Sequence, residues 1–67
     1  MVSEIFYDKG KNNKPILLDT VYEDEAEEWL DYRAILMNAL GYETARMAER
    51  MLYVFDKNGV LGIYYYR

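Results

Sequence analysis

Between Thr20 and Gly41 the chain carries the start and stop signals of one helix, and in a chain of 67 residues a helix of that length dictates what everything else must do. Thr20-Val21-Tyr22-Glu23 matches the capping box, in which the threonine hydroxyl accepts from a backbone N–H three residues on while the glutamate reaches back to the cap N–H. Gly41 suits the left-handed position just past a helix end, with Tyr42 placed for the accompanying hydrophobic contact. The spacing predicts a helix from about Val21 to Leu40. At 100° per residue, Tyr22, Ala26, Trp29, Leu30, Arg33, Leu36, Met37 and Leu40 fall on one side, and Asp24, Glu27, Glu28, Asp31 and Asn38 on the other. Such a rod cannot bury its apolar stripe by itself, so the flanking segments must supply a surface for it.

Those flanks read as strands. Residues 3–8 and 15–18 are rich in strand formers and are separated by the polar run Lys9-Gly10-Lys11-Asn12-Asn13-Lys14, which has turn chemistry and holds three of the four lysines. Residues 51–55 and 60–66 flank Asp56-Lys57-Asn58-Gly59, a hairpin signal in which Asn-Gly supplies the positive φ angles of the turn. Residues 43–55 are ambiguous, because Ala45, Met47, Ala48, Met51, Leu52, Val54 and Phe55 also share one helical face. The reading preferred here is a short second helix to about Arg50, then the hairpin. The expected fold is α+β: one domain over residues 1–67, a small antiparallel sheet of two hairpins packed on one long helix through Trp29, Leu30, Leu36, Met37 and Leu40.

A chain this short buries only about 60% of the surface its unfolded form exposes. It has no cysteine for a disulfide and no histidine or cysteine for a structural zinc. Self-association is the remaining source of stability, although an apolar content of 52% also suffices for folding alone, so a homodimer is left open. The absence of cysteine and a polar start without a signal-peptide pattern lead to the expectation of a cytoplasmic protein. The longest apolar run, Met51 to Phe55, is far short of the ~20 residues that span a bilayer.

Catalysis is disfavoured by inventory. With no histidine or cysteine, and Ser3, Thr20 and Thr44 as the only small hydroxyls, an enzyme would have to run on carboxylates, tyrosine or lysine, and paired carboxylates need a deep cleft that raises one pKa. No phosphate-binding glycine loop, zinc spacing or EF-hand pattern is present, so no catalytic residue, metal site or cofactor is expected.

The feature with functional content is the crowd of carboxylates at Glu23, Asp24, Glu25, Glu27, Glu28 and Asp31. One or two of them in the first helical turn interact favourably with the helix dipole, but the benefit fades beyond that turn, and neighbours such as Glu27 and Asp31 repel each other. No lysine within the helix relieves them. The plain reading is a solvated face that keeps an acidic protein of net charge −4 soluble. The sharper one is a docking surface formed by Glu23, Asp24, Glu27, Glu28 and Asp31, with Ile35 as an apolar centre. That surface would be offered to a basic protein surface, including one that binds nucleic acid, whose phosphates the carboxylates would imitate.

Two other features carry alternatives. Arg33 lies in the middle of the apolar stripe; it either lays its stem over the core or marks a dimer contact. Tyr64-Tyr65-Tyr66-Arg67 places Tyr64 and Tyr66 on one sheet face and Tyr65 on the other. Packing is the default for such residues, and the alternatives are a surface that stacks single-stranded bases or grips a peptide, helped by Arg46, Arg50 and Arg67, or, with this last strand at a sheet edge, a dimer interface through Tyr64, Tyr65 and Tyr66 that makes the chain a self-associating subunit. The expectation is therefore a non-enzymatic binding module, a small acidic inhibitor or regulator of viral or mobile-element type. Direct nucleic-acid binding is secondary, since the overall charge repels phosphate.

Overall fold

The computed structural model describes all of residues 1–67. Five strands, β1 (Val2–Asp8), β2 (Ile16–Tyr22), β3 (Glu43–Ala48), β4 (Met51–Asp56) and β5 (Gly59–Tyr66), form one antiparallel sheet in the order β2-β1-β5-β4-β3. A 3-10 turn (Glu23–Glu25) leads into the single helix α1 (Ala26–Ala39). The α+β class stands, with three strands after the helix where the sequence reading has two.

The helix end follows local chemistry. Gly41 takes φ 98°, the amide of Tyr42 donates to the carbonyl of Met37 at 3.0 Å, and that of Gly41 donates to Asn38 at 3.0 Å. This pair of bonds is the Schellman motif, closing orphan carbonyls of the last turn. The β4–β5 hairpin forms where its signal places it, but Gly59 alone takes a positive φ, 119°, and Asn58 does not; the Asn58 amide donates to the Asp56 carboxylate at 2.7 Å.

Two expectations are overturned by pairing between distant segments. Thr20 does not cap the helix. It is a strand residue opposite Glu4, and the β1–β2 ladder runs on until the amide of Glu23 donates to the carbonyl of Met1 at 3.1 Å, so α1 starts later than Val21 and has no side-chain cap. Residues 43–48 are strand β3 and not a second helix: Glu43, Thr44 and Ala45 pair with Phe55, Val54 and Tyr53. A helix there would leave the β4 edge with unpaired backbone groups, and pairing satisfies them.

Alternation assigns the two sheet faces. Leu52 and Val54 are fully buried and Tyr64 nearly so, in one cluster with the equally buried Leu30 of α1, with Trp29, Ala34 and Met37 around them; Ile5 of β1 is fully buried as well. The opposite face carries Phe6, Met51, Tyr53, Phe55, Ile63 and Tyr65, all half-buried, with no second layer over it. There Phe6 stacks on Tyr65 at 5.3 Å between centroids and Tyr53 on Phe55 at 6.3 Å.

Candidate functional site

The sequence-predicted docking surface sits on α1, and its charges divide into two groups. Arg46 of β3 reaches up to the helix: Nη2 donates to Glu27 Oε2 at 2.6 Å, Nη1 to Asp31 Oδ1 at 3.0 Å, and Nε to the carbonyl of Met51 at 2.9 Å. The repulsion of the Glu27/Asp31 pair is thus relieved from the sheet. The sequence shows no lysine within the helix to relieve them; the relief comes instead from outside it, because residues 43–48 form a strand and not the expected helix, which turns Arg46 toward α1. Glu27 and Asp31 remain about half-exposed or more, so the fork is worth no more than roughly 1 kcal/mol per pair. Its larger effect is to remove both from the freely available anionic surface.

Glu23, Asp24, Glu25 and Glu28 form no ion pair, since Arg46 makes the only two salt bridges in the molecule. Glu28 is followed on the same stripe by Tyr32 and Ile35, at i+4 and i+7, and these side chains are 72% and 65% exposed. Glu28, Asp31, Tyr32 and Ile35 together line one shallow hollow. Leu36 and Leu40, which the helical wheel places over the core, are also exposed. The fully buried side of α1 is narrow, Ala26 and Leu30 alone; the helix lies against β3, β4 and β5, and strand β2 is left exposed along most of its length. The outer face of α1 is acidic at the N-terminal half and apolar at the C-terminal half. Tyr32 is the residue the sequence reading missed; its step of four from Glu28 and three to Ile35 was the available signal.

The second predicted group is scattered. Arg33 holds its guanidinium carbon 4.5 Å from the Trp29 ring centroid and 5.1 Å from that of Tyr64, a cation–π arrangement within its own core worth about 0.5 to 2 kcal/mol. Tyr64 is buried there and unavailable to a second chain, and β5 is the central strand, paired with β1 and β4, and not an edge, so Tyr64–Tyr66 cannot extend the sheet into a dimer as expected. Tyr65 faces the other way, stacked on Phe6, whose ring also lies 4.8 Å from the Arg67 guanidinium carbon. Tyr66 points to the helix side, where Arg50 lies 5.8 Å over its ring. Of Arg46, Arg50 and Arg67, only Arg67 is on the open aromatic face.

Burial raises the pKa of Tyr66, and the nearby Glu27 carboxylate adds to the rise against the opposing pull of Arg50 and Arg46. Tyr7 is raised too, by burial first and then by Tyr64 and Tyr42. A phenol whose folded-state pKa exceeds its unfolded value of about 10 contributes stability that is fully present below that value and lost as pH rises through the folded one. Thermal melts are expected to hold steady up to pH about 10 and then fall steeply, with a shallower fall in Tyr66→Phe and Tyr7→Phe; equal slopes in all three would remove this account.

No group of acidic side chains is arranged to hold a metal ion, and no helix is long and apolar enough to cross a membrane. Comparison with protein-family models, with curated proteins and with solved structures finds no match to the chain.

Proposed function

We propose that this chain is a non-enzymatic protein-binding module, a small acidic regulator or inhibitor that docks the outer face of α1 on a basic surface of a partner protein. The observation that carries the reading is the succession Glu28, Tyr32, Ile35 on one exposed stripe. A face kept only for solubility has no use for two large apolar side chains one turn beyond its carboxylates, whereas an interface needs an apolar centre with a charged rim. Asp24 and Glu28, unpaired within the chain, are suited to steer a cationic surface during encounter, and Tyr32 and Ile35 to hold it once water is expelled. Because Arg46 takes Glu27 and Asp31, imitation of a row of phosphates is less well supported than a mixed acidic and apolar contact.

The test is capture from extracts of the native host by immobilised wild type and by a Glu28→Lys/Tyr32→Ala/Ile35→Asp variant, at low and high salt. Capture by the wild type should weaken with salt, as expected for exposed charges, and vanish in the variant. Identical capture by both proteins would sink the proposal.

A second reading, binding of single-stranded nucleic acid by the open sheet face, is favoured by the Phe6–Tyr65 stack beneath Arg67. It has thin electrostatic support, because Arg46 and Arg50 lie on the helix side. A mobility shift with single-stranded DNA or RNA distinguishes it, since helix docking predicts none.

A further inference from the structure

We infer that β2 is a self-association edge, along which two copies of this chain pair antiparallel and continue one sheet across a twofold axis. The inference concerns a different surface from the outer face of α1 and does not depend on that proposal.

The two edges of the sheet differ. β3 is blunted: its register breaks between Ala45 and Ala48, and it carries the charged Glu43 and Arg46. Strand β2 has an irregularity of its own, since Leu18 has no partner on β1, but it runs in regular register from Asp19 to Tyr22 and has neither lysine nor proline within it to discourage pairing. Ile16, Leu17, Leu18 and Tyr22 are each between 41% and 65% exposed. Its only charge, Asp19, faces the helix side and accepts from the Trp29 indole at 3.1 Å. The bond from the Glu23 amide to Met1 fixes the phase of the ladder: Val21 and Asp19 turn their backbone groups toward β1, and Thr20 and Tyr22 turn theirs to solvent. The Thr20 amide is satisfied by Asp19 Oδ1 at 2.8 Å, and the Tyr22 carbonyl, at the N-cap of the 3-10 turn, accepts within that turn, but the Thr20 carbonyl and the Tyr22 amide are left for another strand.

Charge identifies the occupant as a second copy and sets its direction. The Lys9–Lys14 loop precedes β2, and none of its three lysines forms a salt bridge. The Glu23–Glu25 turn follows β2, equally unpaired, with Glu25 lining a hollow beside Thr20, Val21 and Tyr22. Antiparallel pairing brings the lysine loop of each copy beside the acidic turn of the other, twice by symmetry, while parallel pairing would set like against like.

Sedimentation equilibrium over a range of concentrations tests this, with thermal melts to check that each variant folds. The wild type should reach twice 8.0 kDa and dissociate as salt rises. Leu18→Lys, Lys14→Glu and Glu25→Lys should each weaken the dimer by about tenfold or more, and the double variant Lys14→Glu/Glu25→Lys, which exchanges the charges, should restore it. Tyr32→Ala/Ile35→Ala should dimerise like the wild type. A wild type that stays monomeric up to its solubility limit overturns the inference. So does a dimer indifferent to Leu18→Lys and to the single reversals, or one dissolved by the helix-face variant.

Discussion

Leu52→Ala should destabilise the protein by about 3 to 5 kcal/mol, the upper part of the range for deleting a large buried aliphatic side chain. Leu52 is fully buried, sits opposite Tyr64 in the β4–β5 ladder, and belongs to the one core cluster with Leu30 and Val54. Only four large side chains in the molecule are completely buried, the fourth being Ile5. The site has little freedom to collapse around a void, because a sheet strand lies on each side of it and the helix lies above. A domain of this size has a total stability of roughly 3 to 10 kcal/mol, so the loss is a large part of it. Urea denaturation should show the midpoint falling at unchanged slope, while Leu17→Ala on the exposed edge should change stability by less than about 0.5 kcal/mol. Equal effects at the two positions would mean that Leu52 does not belong to the core.

The second large effect is expected at Gly62, a buried residue in the middle of β5. A Cβ at this position would lie 2.5 Å from Cε1 and 2.6 Å from Cζ of Tyr7, and closer still to its hydroxyl oxygen. The Tyr7 ring therefore crosses directly over the glycine backbone, filling the space a side chain would take. That ring has little room to withdraw, because it packs against Tyr64 at 4.6 Å between centroids. Gly62→Val should thus cost about 2 to 3 kcal/mol through overpacking, equivalent to a fall in Tm of about 10 to 20 °C for a domain of this length. A double-mutant cycle identifies the cause: in a Tyr7→Ala background the valine should be tolerated at much smaller cost. If the cost is the same in both backgrounds, the Tyr7 contact is not its source.

What was legible in the residues was whatever depends on a few neighbours. The end of α1 at Gly41, the hairpin turn at Gly59 and the opposed faces of Tyr64 and Tyr65 follow from backbone φ preferences and from simple alternation, which act over one to six residues. The ambiguous stretch 43–48 shows where such reasoning stops. Ala45, Met47 and Ala48 fit a helical face as well as a strand, and what decides is the hydrogen bonding offered by β4, a partner that periodicity does not report. Thr20 likewise has the right chemistry for a cap and is placed instead opposite Glu4 in the β1–β2 ladder.

The candidate surface divides along the same line. The excess of carboxylates at Glu23–Asp31 was visible from composition and spacing, as was the exposed Ile35 within it. That Arg46 removes Glu27 and Asp31 from that surface, that Arg33 is held between Trp29 and Tyr64, and that Arg50 and Arg67 fall on opposite faces of the sheet depend on strand order and register. The sequence by itself determined the α+β class, the helix end and the anionic character of the chain, because these rest on local backbone and charge preferences. Only the tertiary structure decided which charges are paired, which apolar side chains of α1 face solvent and which sheet edge is left open, because each follows from contacts between residues far apart along the chain.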